Sequence, residues 1–479
     1  LSIATLVKGT AFIGFVSVLR LLVQFVSVPV LARLLSPVDY GLAAMAMPVI
    51  LFVMLIADAG LGNSLVRTSR TNDQVWHTCF WLSVGLGIVG AAGVASLSPV
   101  VAFLLNEARL TPLLAALAAI IPLQTFTLVP GASLQKEARF GTIAATQIVA
   151  MCASLGTAVA LAIAGVGVWA LIWQQIVFYA VRLTLTLTCS SYRPCLVFDL
   201  HDAWEHVIFG RNMLGVSLIS SASRSLENLV IGKVHGAGPV GVYIMAFQFA
   251  RLPFMLVTGP IQYVLYPHVA AIREDRAQTT ALFVLLTRIL AMVLLPAVAL
   301  VAVASEPTFT LLLSTKWRQA APIFALIAPA AALQPVTAIV GTFLMALGRT
   351  DVQMRLAAQF AAVWIVGLMI SVWYGIAAVA TTYSICALLF SAWSLRMCLP
   401  LVNCSFATYA RLLMWPMALT VWAMLAYRVL SSPGVDHNVL NVGIAITLAL
   451  LVTLGAFLAQ RRPLITALTT SGSSTQNVV

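Results

Sequence analysis

An all-α integral membrane fold of about fourteen transmembrane helices is predicted for this 479-residue chain, and three observations predict it. The first is composition: 61% of residues are hydrophobic and 8% are charged, with a mean hydropathy of +1.03. Soluble domains carry roughly a quarter charged residues, so water cannot solvate this chain as an ordinary globule. The second is that apolar runs long enough to cross a bilayer core, about 20 residues each, recur along the whole sequence. The third is a one-sided distribution of Lys and Arg between alternate loops. A soluble enzyme, a disordered scaffold and a secreted disulfide module are all excluded.

Each run is bounded by charge or turn clusters. The first starts at Gly9 and reaches Leu35, too long for the core of a cleavable leader. The second starts at Tyr40, after Ser36-Pro37, and the third at Val75, after the polar stretch from Arg67. The fourth and fifth start at Thr111 and Thr142, behind Arg109 and Arg139. Gly165-Val166-Gly167 makes a very short turn into the sixth, where a merged pair is the alternative. The seventh and eighth start at Phe209 and Pro239, and the ninth, tenth and eleventh at Ala281, Ala320 and Val352, each behind basic residues. The last three start at Gly375, Phe406 and Val439.

With the N-terminus cytoplasmic, sixteen of the 26 Lys and Arg fall on cytoplasmic loops or flanks, Arg182 among them, and six fall opposite. Four lie inside spans: Arg20, Arg224, Arg251 and Arg288. The positive-inside rule therefore favours both termini in the cytoplasm of a cell with an inner membrane. Most of the net charge of +12 is topological and implies no nucleic-acid partner.

The two six-span blocks show a weak internal repeat. Gly9 and Gly14 match Gly210 and Gly215, and Pro37-Val38 matches Pro239-Val240. Pro112, Leu123-Gln124, Gly131 and Leu134 keep the spacing of Pro322, Leu333-Gln334, Gly341 and Leu344. An even number of spans per block makes the repeat parallel, the organisation of two transporter lobes. The expected parts are an N-lobe (1–192), an amphipathic cytoplasmic linker (193–208), a C-lobe (209–400), a helix pair (401–462) and a cytoplasmic, partly disordered tail (463–479). The longest loop on the opposite face runs from about Ser305 to Gln319.

No HExxH, Walker A, GxSxG or clustered-acid metal motif occurs, so no catalytic residue, metal or cofactor is expected. The seven cysteines lack CxxC or zinc spacing and read as free thiols. The informative residues are polar ones inside spans, which cost a few kcal/mol at a helix centre and so face a cavity or a partner. Arg20 and Gln24 share a face of the first helix. Arg224, Glu227 and Asn228 share one of the seventh, and Gln248 with Arg251 lies in the eighth. Arg20, Gln24, Arg224, Asn228, Gln248 and Arg251 form the expected substrate-binding set, since guanidinium suits phosphate oxygens. Glu227 and Asp58 are the acids within spans; proton coupling is one role, a counter-ion or helix-end role the other. Arg288 reads as snorkelling to the interface. Prolines inside spans, among them Pro253, Pro260 and Pro296, are expected to bend helices that line a cavity.

Residues 31–42 (Leu-Ala-Arg-Leu-Leu-Ser-Pro-Val-Asp-Tyr-Gly-Leu) and 58–67 (Asp-Ala-Gly-Leu-Gly-Asn-Ser-Leu-Val-Arg) resemble the opening of Wzx-type polysaccharide flippases, in the multidrug/oligosaccharidyl-lipid/polysaccharide exporter superfamily. Residues 209–212 (Phe-Gly-Arg-Asn), 241–243 and Pro260 to Pro267 resemble the start of that family's second lobe. The resemblance implies fourteen helices, and movement of undecaprenyl-pyrophosphate-linked oligosaccharide from the cytoplasmic to the periplasmic leaflet. It implies a place beside a polysaccharide polymerase and chain-length or export proteins. A peptidoglycan-precursor flippase and a drug/cation antiporter of the same superfamily are the alternatives, with a membrane polymerase or ligase disfavoured by short periplasmic loops.

Overall fold

The computed structural model describes residues 23, 26–58, 61–67, 73–198, 226–431 and 438–459. Every regular element among them is helical. In order they are α1 (26–34), α2 (Pro37–Asp58), α3 (Leu61–Arg67), α4 (Asp73–Leu104), α5 (Leu110–Leu117), α6 (Ile120–Lys136), α7 (Phe140–Ile163), α8 (Trp169–Cys189), α9 (226–235) and α10 (Ala237–Pro253). A π-helical turn (Phe254–Thr258) leads to α11 (Gly259–Ala271), α12 (Arg276–Val303), α13 (Ser305–Leu313), α14 (Ala320–Ala346), α15 (Thr350–Ser371), α16 (Ile376–Cys398), α17 (Phe406–Leu430) and α18 (Asn438–Ala459). Twelve helices among the described residues are long and apolar enough to cross a membrane, and they match twelve of the expected runs. The expected runs from Gly9 and Phe209 begin outside the described residues. The chain is a multi-pass membrane protein.

The helices cluster into two units, Leu1–Gly241 and Val242–Val479. In the first, α2 starts from a reciprocal cap. The Ser36 amide and hydroxyl both donate to Asp39 Oδ2 (2.9 and 2.6 Å), the Asp39 amide donates to Ser36 Oγ, and Pro37 fills the first helical position. α7 and α8 form a tight hairpin, and so are two separate spans; Gly165 and Gly167 hold its turn at φ +78° and +60°. One core of this unit gathers Leu61, Leu65, Phe80 and Val129 from α3, α4 and α6. Another packs Leu31 and Leu35 against Ala158, Ala162 and Ala170.

The second unit is built around α12 and α14. α14 is the most enclosed of these spans, and its alanines let neighbours approach closely. Phe283 of α12 meets Phe343 of α14 edge to face at 5.2 Å and lies 6.2 Å from Tyr409 of α17. The expected loop from Ser305 is folded instead. It forms α13 and a 3₁₀ turn that buries Trp317 completely, because Phe309, Leu313 and Trp317 give the segment an apolar side. Most span prolines, including Pro48, Pro296 and Pro416, sit inside continuous helices. The backbone changes register at the π turn between Pro253 and Pro260.

α6 and α14, which carry the Leu123-Gln124 and Leu333-Gln334 match, end in the same way. At the end of α6 the Arg139 amide bonds the Leu134 carbonyl (2.9 Å) and the Ala138 amide bonds Gln135; at the end of α14, Arg349 bonds Leu344 (2.8 Å) and Gly348 bonds Met345. Both are Schellman stops with a left-handed residue, Ala138 at φ +55° and Gly348 at φ +77°. The offset of 210 is that of Leu123-Gln124 and Leu333-Gln334. Within the first unit, a Cβ on Gly41 would stand 1.7 Å from the Ala237 carbonyl oxygen, and one on Gly241 would stand 1.8 Å from that of Pro37. In this reciprocal crossing the two glycines let the backbones touch.

Candidate functional site

Arg20, Gln24 and Arg224 lie outside the described residues. Of the expected set, Gln248 and Arg251 are on α10, and Asn228 is on α9 beside Glu227. Asp58 is the last residue of α2 and is half-buried.

Arg251 stands on the last turn of α10, immediately before Pro253 and the π turn. Helical backbone runs from Ala237 through to Ala271, which puts Arg251 about 20 Å from its start at 1.5 Å per residue. The side chain is nonetheless exposed. Its guanidinium carbon lies 4.9 Å from the centroid of the Phe247 ring, one turn back on the same helix. Phe247 meets Tyr383 of α16 edge to face at 4.8 Å, and Tyr383 meets Trp364 of α15 at 5.1 Å. Tyr243 completes the row, 5.7 Å from Phe247. A cation held against a ring face keeps its in-plane N–H groups for other acceptors. An exposed arginine seated on a ring is a ready contact for anionic oxygens, while Tyr243 and Trp364 are buried and pack the row rather than offer it a face.

The first unit holds an arginine that the loop census misplaces. Arg182 is seven residues inside the end of α8 and half-buried, not on the cytoplasmic flank. Its Nη1 donates to Gln124 Oε1 of α6 at 3.2 Å. Polar residues recur on this side of α8 at Gln175, Tyr179 and Arg182, a helical spacing readable in the sequence. Gln124 drew attention only as a marker of the repeat. The hydrogen bond couples the two features: the amide gives the guanidinium an acceptor inside the apolar layer. Arg288 of α12 is half-buried, next to the buried Thr287 and two residues before the buried Leu290.

Outside the spans, the connection between α4 and α5 carries a two-pronged ion pair. Arg109 Nε and Nη2 donate to the Glu107 carboxylate at 2.7 and 2.9 Å. The hydrogen bond from Arg109 holds the Glu107 carboxyl below its ordinary range against the opposing effect of burial, and the same bond raises Arg109. All seven cysteines are free thiols.

The family described as polysaccharide biosynthesis protein matches residues 30–322. The chain is 29% identical over 305 residues to the succinoglycan biosynthesis transport protein ExoT of Rhizobium meliloti, covering 64% of this chain and 62% of that protein. It is 27% identical over 360 residues to the lipopolysaccharide biosynthesis protein WzxC of Escherichia coli, covering 73% and 71%. The chain thus spans about three fifths of the length of the first of these relatives. In fold it is similar to the lipid II flippase MurJ in an inward closed conformation, with a TM-score of 0.71, 13% identity, and 95% and 99% of the two chains covered. It is also similar to an inward-facing MATE transporter of the MOP superfamily, with a TM-score of 0.60, 15% identity and 80% and 96% covered. The family match, over more of the chain than the opening motif at residues 31–67, makes this chain a member of the polysaccharide biosynthesis protein family.

Proposed function

We propose that the chain is a flippase that moves an undecaprenyl-pyrophosphate-linked oligosaccharide from the cytoplasmic to the periplasmic leaflet by alternating access. It acts as a transporter and not as an enzyme. The observation that carries this reading is Arg251, an exposed cation deep in a membrane helix, seated on the Phe247–Tyr383–Trp364 wall. Pyrophosphate needs fixed cations in a low-dielectric setting, and a guanidinium with open donors supplies one. The drug/cation antiporter alternative needs an acidic cavity, and Arg251 gives this wall the opposite sign. ExoT and WzxC, named for succinoglycan transport and lipopolysaccharide biosynthesis, support a saccharide cargo.

In this reading Arg20 and Arg224 are the further cations, with Gln24, Asn228 and Gln248 as neutral donors and acceptors for sugar hydroxyls. Glu227 and Asp58 are the candidates for proton coupling. The lobes are 1–192 and 209–400, joined by the linker at 193–208. The protein sits in the inner membrane with both termini cytoplasmic, as the Lys and Arg distribution favours. A polysaccharide polymerase and chain-length or export proteins take over the product.

The test is deletion of the protein followed by identification of the lipid-linked saccharide in each leaflet. Accumulation of one such saccharide on the cytoplasmic side, reversed by the wild-type chain and not by Arg251→Ala, is the expected result. Unchanged surface polysaccharide with loss of viability would assign a peptidoglycan precursor as cargo, and unchanged export would overturn the flippase reading.

A further inference from the structure

Residues 190–198 of the first unit are not helical; they form a strap folded across the ends of α4, α6 and α8. Its anchors come from far along the chain. The Ser190 and Ser133 hydroxyls share a hydrogen bond at 2.7 Å, and the Trp81 indole N–H donates to the Cys195 carbonyl at 2.8 Å. The Cys195 amide donates to His77 Nδ1 at 3.2 Å, with the Tyr192 hydroxyl 3.0 Å from the same nitrogen. An amide can only donate, so His77 Nδ1 is the acceptor and the neutral ring carries its proton on Nε2. Arg193 ties the strap down through Nη1, which donates to the carbonyls of Leu187, Ser190 and Tyr192.

The strap borders an open cavity of about 470 Å³ lined by Trp76, His77, Lys136, Glu137, Tyr192 and Arg193 with two serines. Lys136 lies 5.2 Å over the Trp76 ring, so it too is fixed without giving its N–H groups to an acceptor there. The carboxylate of Glu137 is already engaged: it accepts from the Ser191 hydroxyl and pairs with Arg139 at 3.5 Å. Lys136, Arg193 and Arg139 against Glu137 leave an excess of two positive charges. At the far end of the strap, Leu196 is 88% exposed and Phe198 is 56% exposed. Membrane-crossing helices start or end here, at the depth of lipid headgroups, where indole and phenol rings such as Trp81 and Tyr192 settle.

We propose that this cavity is a binding site for the phosphate of a membrane lipid. The phosphate oxygens sit between Lys136 and Arg193, with His77 Nε2–H as a further donor, and Leu196 and Phe198 lie against the acyl or polyprenyl chain. Charge, donors and apolar residues are then arranged in the order in which a phospholipid or a lipid diphosphate presents its own parts. None of these residues belongs to the Arg251 wall, and the site stands whether or not the chain moves a saccharide.

The test uses the full chain in nanodiscs of phosphatidylcholine doped with phosphatidylglycerol or with a polyprenyl diphosphate, with retained lipid read by native mass spectrometry. Wild type should keep the doped lipid in preference to phosphatidylcholine. A cation near an anionic surface contributes a preference of about five-fold, so Lys136→Gln should lower retention by about that factor. Arg193→Gln also loosens the strap, so Arg193→Lys, which keeps the charge, is the paired variant and should retain most of the lipid. Leu196→Ser/Phe198→Ser should lower lipid retention while leaving inorganic diphosphate binding unchanged. Polyprenyl diphosphate displaced by excess phosphatidylglycerol supports a general acidic-lipid site. Polyprenyl diphosphate that resists displacement supports a carrier-lipid site. Equal retention by wild type and Lys136→Gln, no preference over phosphatidylcholine, or release of both lipids by equimolar inorganic diphosphate would overturn the proposal.

Discussion

Arg251 and Arg182 are both arginines inside membrane helices, one in each unit, yet the chain holds them in different ways. Arg182 is half-buried and donates to an amide oxygen, Gln124 Oε1. Arg251 is exposed and rests on a ring face, that of Phe247. A hydrogen-bonded guanidinium has a directional partner that fixes it and takes up donor capacity. One on a ring is positioned by the quadrupole while its in-plane donors stay open. The first arrangement serves packing between α6 and α8, and the second serves a ligand. Charge inside a span therefore does not by itself mark a binding residue; the kind of partner separates the two.

The largest test of this contrast is to remove Arg251. Charge-assisted hydrogen bonds contribute about 1.5–3 kcal/mol, so Arg251→Ala should slow transport of a lipid-linked saccharide by roughly ten- to a hundred-fold. Its thermal midpoint in detergent should stay close to wild type, because an exposed side chain supports little packing. A large fall in the midpoint with intact transport would reverse the two roles. Next comes the ring. Cation–π contacts are worth about 0.5–2 kcal/mol, so Phe247→Leu should weaken transport by roughly two- to thirty-fold. Phe247→Tyr, which keeps the ring, should preserve most of it.

Arg182 should give the opposite pattern. Interhelical polar contacts in membranes average about 0.6 kcal/mol and reach about 1.7. Arg182→Met should lower unfolding stability within that range, and Gln124→Leu should lower it similarly, with the double variant less than additive. Transport should change by no more than a few-fold. Additive losses would mean that the 3.2 Å contact does not couple the pair.

How far these sites were legible in advance follows the physics of each signal. Spans are local: a run of apolar residues declares itself by length, and twelve of the expected starts coincide with helices. Arg251 was legible because it falls in the middle of the run expected from Pro239. Arg182 falls near the end of the run expected from Val166, where a charge reads as a flank until the neighbouring Gln124 is known. The strap was the least legible. Its contacts join His77 to Tyr192 and Trp81 to Cys195, more than a hundred residues apart, and no periodicity records them. The fold of α13 was hidden for a related reason, since Trp317 looks like part of a polar loop until its burial is seen.

Arg109 sharpens the comparison from outside the membrane, with the smallest expected effect. It bonds Glu107 with both Nε and Nη2, but its side chain is 60% exposed. Water competes for the guanidinium there, and exposed pairs contribute about 0.2–1 kcal/mol. Arg109→Gln should therefore leave transport unchanged and shift stability by no more than that amount at neutral pH. The pH dependence has a definite sign. The Glu107 carboxyl is held below its unfolded value of about 4.3, so the pair contributes fully above that pH and is lost as pH falls through the lowered folded value. Unfolding curves of wild type and Arg109→Gln should stay parallel from neutral pH down to about 5 and converge only in more acidic solution. Convergence already at pH 6 would place the lowered carboxyl elsewhere. A transport defect in Arg109→Gln would show that engagement with a partner does not decide which arginine serves the cargo.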